Sequence, residues 1–377
     1  MAHIMVLFTP HSPVTYKVKV LIADDSAFMR GSLSRMVQSD DSLCVIGTAE
    51  NGLEALAKIA KLHPDVVTLD LDMPGIDGME TLRRIMEQSP VPVIIVSSLA
   101  RKGAAATLEA LSLGAFDCVA KELSYATSDV LKVQAELVSK IKAAAGPLLR
   151  PSRLAKLQQQ APQTSARSLV TDEPIPAIVA IASSTGGPKA LQELFAALPA
   201  DLPIPIVVVQ HMPMGFVGPL AARLNDFSGL RVQEAKDKDL IKRGRVYLAP
   251  GGQDMTVRRR SASEVVLRLS PATGKSIHIP SADVMMSSVA EAFSSAAMGI
   301  VLTGMGNDGA LGMRAIFHQG GITLGQNQAT CVVYGMPRAC AELGVLSDLL
   351  PLGEIPGRIL SALRYRKPKK SAKAGAS

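Results

Sequence analysis

At 377 residues, with 47% hydrophobic and 19% charged residues, the chain has the composition of a folded globular protein and the length for two cores rather than one. Aromatic residues make up only 3% and tryptophan is absent, which argues against nucleic-acid binding by base stacking. The four cysteines, Cys44, Cys118, Cys331 and Cys340, show no CxxC spacing and sit among apolar neighbours, so buried, reduced thiols are expected in place of zinc sites or disulfides.

Residues 1–17 form an amino-terminal extension with a short apolar patch but neither a basic start nor a small-residue cleavage pattern. No run approaches the roughly 18 apolar residues that a membrane span needs, so a cytoplasmic protein without membrane insertion is expected. The formal charge is +7, and much of the excess lies between Lys140 and Arg167 and in Arg364, Arg366, Lys367, Lys369, Lys370 and Lys373. Residues 363–377 therefore read as a solvated basic tail, with no nucleic-acid partner expected.

Residues 18–135 alternate short β-branched runs with amphipathic stretches, the pattern of parallel βα units. Strands are predicted at Val18–Ala23, Leu43–Ala49, Val66–Leu69, Val91–Val96 and Phe116–Val119, with helices between them such as Ala27–Gln38 and Met79–Gln88. Residues 136–174 read as a linker with a helical start, marked by Gln158-Gln159-Gln160 and scattered Pro and Ser. The alternation resumes over residues 175–362, with apolar runs at Ala177–Ala182, Ile204–Val209, Val246–Leu248, Ile300–Thr303 and Ile322–Leu324. The expected fold class is α/β, with two doubly wound parallel-sheet domains.

In the first domain, strand one runs into Asp24-Asp25 and strand three into Asp70. Ligands of open parallel sheets bind outside the carboxyl ends of the strands at the switch point, so three carboxylates converge there. Such crowding of like charge is costly unless a hard divalent cation offsets it, and an all-oxygen set suits Mg²⁺. Helix capping alone would account for one Asp, not three. Ser97 and Lys121 close strands four and five, and offer a hydroxyl and an ammonium at the same edge. With these five positions the domain resembles the response-regulator receiver family, whose fold is flavodoxin-like. The resemblance implies that Asp70 accepts a phosphoryl group from a histidine kinase. It also implies that Asp24, Asp25 and Asp70, with the backbone carbonyl of Asp72, hold Mg²⁺, and that Ser97 and Lys121 contact the phosphoryl group. Cys118 departs from the aromatic switch residue usual in that family, and Glu122 from the usual proline.

In the second domain, Ile181-Ala182-Ser183-Ser184-Thr185-Gly186-Gly187-Pro188 sets a hydroxyl where a buried strand turns into a helix. On this motif alone, Ser184 is either a nucleophile beside helix-terminal amides or an ordinary helix cap. Val207-Val208-Val209-Gln210 runs into His211, the one histidine of six that follows a buried strand; His278 falls on a predicted loop. A hydroxyl needs a base within reach to become a nucleophile. Asp254, Asp283 and Asp308 are candidate acids. Asp308 follows the strand ending at Thr303 and shares the sheet edge, whereas Asp283 starts a helix and Asp254 sits in a glycine-rich turn.

Gly304, Gly306 and Gly309 also fit a dinucleotide GxGxxG, but Asp308 would confront the pyrophosphate and no acid ends the next strand, which reads Gly325-Gln326-Asn327. The order Ser, His, Asp differs from that of the usual α/β-hydrolases. The runs Ser-Ser-Thr-Gly-Gly-Pro, Gln-His-Met-Pro, Tyr-Leu-Ala-Pro-Gly-Gly and Leu-Thr-Gly-Met-Gly-Asn-Asp-Gly resemble the catalytic domain of the chemotaxis protein-glutamate methylesterase family, with Asp254 standing where that family often has His. The resemblance implies a Rossmann-like domain with Ser184 as nucleophile, His211 as general base and acid, Asp308 orienting the histidine, and amides near Thr185 and Met305 as oxyanion donors. It further implies methyl-accepting chemoreceptors as substrates, a chemotaxis histidine kinase as phosphodonor, no cofactor for the esterase, deamidation of receptor glutamines, and control of the site by the receiver. The alternative is a response regulator with a binding output, which the βα organisation of the second half disfavours.

Overall fold

The computed structural model describes residues 16–97, 101–121, 127–146, 173–261, 263–271 and 278–365. Glu122, most of the expected linker and the basic residues from Arg366 onward lie outside these ranges. The described residues fall into two compact units, and the two parallel sheets are taken in turn.

The first sheet contains β1 (Val18–Ala23), β2 (Leu43–Ala49), β3 (Val66–Asp70), β4 (Val93–Ser97) and β5 (Asp117–Ala120), in the order β2-β1-β3-β4-β5. The helices α1 (Ala27–Gln38), α2 (Gly52–Leu62), α3 (Gly78–Gln88), α4 (Arg101–Leu113) and α5 (Thr127–Ala144) alternate with the strands. Strands β3 and β4 are buried along their whole length, as expected of parallel strands covered on both faces. Polar side chains start the helices where the sequence turns: Asn51 accepts from the Glu54 amide at 2.9 Å and Asp77 from that of Glu80 at 2.8 Å. Helix α5 continues to Ala144, so the beginning of the segment expected as linker is helical.

The second sheet is built from β6 (Ile178–Ser183), β7 (Ile206–Gln210), β8 (Arg231–Glu234), β9 (Arg245–Leu248), β12 (Ala297–Val301), β13 (Ile322–Gln326) and β14 (Asp348–Leu350). Its order is β14-β13-β12-β6-β7-β9-β8, and the pairings are parallel. Its helices are α6 (Gly187–Ala196), α7 (Val217–Phe227), α8 (Ala282–Phe293), α9 (Ala310–His318), α10 (Met336–Glu342) and α11 (Ile355–Ala362). An antiparallel hairpin, β10 (Gln253–Arg259) with β11 (Val265–Pro271), forms a separate sheet. Four strands were not anticipated: β8 and β14 are short, and the hairpin is masked by its arginines. Asp254 accordingly lies at the start of β10 and is 3% exposed, not in a turn.

Alternation along β6 shows how the sheet is covered. Ile178, Ala180 and Ala182 join a core with Met285, Met286, Met313 and Met336, while Val179 and Ile181 point to the opposite face and are equally buried. Both faces therefore carry helices, as a doubly wound α/β domain requires. With few aromatic residues available, methionine fills this core. Of the cysteines, Cys118 and Cys340 are buried but Cys44 and Cys331 only partly so, and all four are free thiols. Among the described residues no helix is long and apolar enough to cross a membrane.

Helices α8 and α9 pack closely at Gly312, where a Cβ would lie 2.5 Å from that of Met286 and 3.2 Å from Asp283 Cα. Gly312→Val should therefore force the pair apart and destabilise the fold by about 1–3 kcal/mol, read as a lowered thermal midpoint; an unchanged midpoint would contradict this packing.

Candidate active site and phosphoryl-acceptor cluster

In the first sheet, β1 pairs with β3 so that Ala23 lies opposite Leu69, which brings the following Asp24 and Asp70 side by side. One oxygen from each of Asp24, Asp25 and Asp70 lies within 4.8 Å of the others. Asp24 and Asp70 are 0% and 2% exposed, and Asp25 is exposed. The Ser26 amide donates to Asp24 Oδ1 at 2.9 Å and the Asp72 amide to Asp70 Oδ1 at 3.2 Å. Ser97 is buried, and its carbonyl accepts from the Lys121 amide at 2.8 Å, so the ends of β4 and β5 bring these two residues together. Clustered carboxylate oxygens are the donor set that a small hard cation such as Mg²⁺ takes, so the residues fit the ion.

In the second sheet the switch point lies at β6, whose neighbours are β7 on one side and β12 on the other. Ser184 follows β6, His211 follows β7, and the loop of Gly304 to Gly309 follows β12. The three segments are tied together by backbone bonds: the Ser184 amide donates to Thr303 O and the His211 amide to Ser183 O, each at 3.0 Å. Gln210 reinforces the junction, since its Nε2 donates to the carbonyls of Ser184 and His211, both at 3.0 Å, and its Oε1 accepts from Ser183 Oγ at 2.7 Å. Helix α6 starts from Gly186, at φ 77°, without a side-chain cap, so Ser184 is not the cap that its motif also allowed.

Gly304 packs against the serine itself. A Cβ there would stand 2.9 Å from Ser184 Cβ and 2.3 Å from Met336 Sδ. The glycine-rich loop is thus needed for close approach to Ser184. Its Asp308 turns inward instead of leaving room for a pyrophosphate.

Asp308, 7% exposed, accepts four hydrogen bonds. Its Oδ2 bonds His211 Nε2 at 2.8 Å and the Ala282 amide at 2.7 Å; its Oδ1 bonds Ser281 Oγ and the Asp283 amide, each at 3.0 Å. It therefore caps the amino terminus of α8. Asp283, in the first turn of α8, in turn accepts from the Gly312 amide in α9 at 2.8 Å. The two acids cap each other's helices, which explains why both occur and only one meets the histidine. Burial pushes the Asp283 carboxyl up, as does the charge of Asp308. Burial also acts to raise Asp308, but the hydrogen bond and charge of His211 and the amides of Asp283 and Ala282 outweigh it and hold the group at about 2.

The histidine is gripped by its Nε2, and Nδ1 is buried with no hydrogen-bond partner among the described residues. With a proton on Nε2 donated to Asp308, Nδ1 carries the lone pair that can act as base. Among the described residues, the backbone amides of Thr185 and Met305 donate to no acceptor. Sequence reasoning did not find Gln210, Ser281 or His278. The ring of His278 stacks on that of His211, with centroids 4.5 Å apart and planes within 13°.

Because the Asp308 carboxyl is lowered from 3.8 to about 2, its contribution is complete above its unfolded value and is lost as pH falls through the folded one. On the order of 2 kcal/mol is involved. The stability difference between wild type and Asp308→Asn in urea unfolding should shrink between pH 4 and 2; a pH-independent difference would contradict it.

Residues 179–359 match the CheB methylesterase family and residues 20–130 the response regulator receiver domain. Protein-glutamate methylesterase/protein-glutamine glutaminase 1 of Oleidesulfovibrio alaskensis is 40% identical over 367 residues, spanning 92% of this chain and 99% of that protein. The protein of the same name in Syntrophomonas wolfei is 43% identical over 348 residues, with 92% and 99% covered. A protein-glutamate methylesterase/protein-glutamine glutaminase of Archaeoglobus fulgidus is 42% identical over 354 residues, with 93% and 99% covered. Similarity of this extent runs through both the acidic cluster and the serine, histidine and aspartate loops, and the chain belongs to the protein-glutamate methylesterase/protein-glutamine glutaminase family, in which a response-regulator receiver precedes a CheB methylesterase domain.

Proposed function

We propose that this chain is a phosphorylation-controlled serine hydrolase that removes γ-methyl esters from glutamates of methyl-accepting chemoreceptors and deamidates receptor glutamines. The observation that carries this reading is the His211–Asp308 pair at the sheet edge that bears Ser184, with Nδ1 left as the open nitrogen. Ser184 Oγ attacks the ester carbonyl as His211 Nδ1 takes its proton. Asp308 stabilises the resulting imidazolium, while the amides of Thr185 and Met305 receive the oxyanion. Collapse passes the proton to the departing methoxide, releasing methanol, or to the departing amide nitrogen when the substrate is glutamine, releasing ammonia. Water, deprotonated by the same nitrogen, then cleaves the acyl-enzyme and leaves a glutamate.

Acid–base assistance by His211 is worth about 10²- to 10⁴-fold, and each oxyanion donor about 3 kcal/mol. The low position of the Asp308 carboxyl keeps it anionic throughout, so it orients and stabilises without itself carrying the proton.

Control resides in the receiver. Asp70 accepts a phosphoryl group from a chemotaxis histidine kinase in the cytoplasm, adding roughly −1.5 to −2 charge at that edge. Asp24, Asp25 and Asp70, with the Asp72 carbonyl, would hold Mg²⁺, which neutralises charge on the transferring phosphoryl oxygens. Ser97 and Lys121 contact those oxygens from the ends of β4 and β5.

Methanol release from methylated receptor membranes tests both parts. Ser184→Ala should abolish it, with a fall of about 10³-fold or more, and wild-type rates in that variant would exclude Ser184 as nucleophile. Asp70→Asn should remove the acceleration produced by a small acyl-phosphate donor, and acceleration that survived the change would place phosphorylation elsewhere.

A further inference from the structure

A single hydrogen bond at Nε2 fixes one edge of the His211 imidazole but not its plane, because the terminal torsion of histidine is broad and the ring can swing about the bond that carries it. Something must hold the plane if Nδ1 is to stay on the line of proton transfer. The side chain of His211 is only 9% exposed, and on one face it is covered by His278, stacked at 4.5 Å and within 13° of parallel. We infer that His278 is a positioning residue for the catalytic histidine, setting the plane of the imidazole so that Nε2 meets Asp308 while Nδ1 remains available to the serine.

The stem that carries His278 is built for this. Three residues on, Ser281 donates its amide to Asp254 Oδ1 at 2.8 Å and its hydroxyl to Asp308 Oδ1 at 3.0 Å. Asp308 therefore grips the edge of one imidazole and, through Ser281, the backbone that presents the other. Asp254, otherwise without a part in the site, steadies the same stem from β10. The β12–α9 loop runs beside the second ring: a Cβ on Gly306 would be in ordinary contact with His278 Nε2, at 3.8 Å. His278 is exposed as a residue, and its ring lies flat on that of His211.

The stack also bears on the reaction. As the base, His211 becomes cationic when the hydroxyl gives up its proton, and the π face of a neutral His278 ring stacked against it stabilises that charged form. That contribution exists in the transition state and not in the resting enzyme, so its removal falls on kcat more than on KM.

The inference rests on His211 being the base. It is tested in the full chain by steady-state methanol release from methylated receptor membranes, using His278→Ala, His278→Phe, His211→Ala and the double alanine variant. His278→Ala should lower kcat about tenfold to a hundredfold with KM within about twofold. His278→Phe, which keeps a flat ring in place, should stay within about threefold of wild type in kcat. In the His211→Ala background, His278→Ala should have no further effect, because its action passes through the missing ring. An unchanged kcat in His278→Ala overturns the inference, as does a rise in KM shared by the alanine and phenylalanine variants, which marks a substrate contact. A loss that persists without His211 also overturns it. Wild-type activity in His211→Ala itself would overturn the base assignment and this inference together, a result that none of the other outcomes imitates.

Discussion

The carboxylate of Asp308 is the interaction on which the second domain turns. It accepts from His211, from the Ser281 hydroxyl and from two amides at the start of α8, so one buried anion serves as helix cap, loop anchor and partner of an imidazole. A buried charge is tolerated only when it is paired and fully hydrogen-bonded, and four donors meet that condition. The positive end of the helix macrodipole adds to the same balance. The charge that faces His211 is thereby held by bonds that the fold needs as well, and neither set can be altered without the other.

Both sheets follow the same topological rule while serving different chemistry. In the first, the chain order reverses between β1 and β3, and the acids at those strand ends form an all-oxygen cluster. In the second it reverses between β6 and β12, and the ends of β6, β7 and β12 carry a hydroxyl, an imidazole and a carboxylate. A parallel sheet leaves a crevice at this point because adjacent connections leave in opposite directions. What fills the crevice differs: crowded anions suited to a hard cation in one, an acid paired with a base in the other.

Much of this was legible in the sequence, for identifiable reasons. Runs such as Val18–Ala23 and Leu43–Ala49 are β-branched or apolar and flanked by turn residues, and the strands have those ends. The acidic residues of the cluster, Ser184 and His211 were visible because they follow such runs at once or within one residue, and Asp308 because it lies in the glycine-rich loop that comes after one. The short edge strands β8 and β14 carry too little apolar periodicity to stand out, and Arg258, Arg259 and Arg260 disguise the outer face of the hairpin. Gln210 looked like a strand terminus, although its amide clamps the backbones of both Ser184 and His211. His278 carried no signal at all, since a loop histidine acquires meaning only from what it lies against. Which imidazole nitrogen faces the acid is likewise a property of three dimensions.

The ladder between β6 and β7 ends by pairing Ser183 with Gln210, and Ser184 and His211 are the first residues past each strand. Ser184 and His211 thus leave strands that run about 4.8 Å apart between backbones, a spacing dictated by peptide hydrogen bonding and not by either side chain. The sheet works here as a ruler with a fixed graduation. Substitutions elsewhere in the core can soften or stiffen the domain, but they cannot stretch that interval without first breaking the ladder.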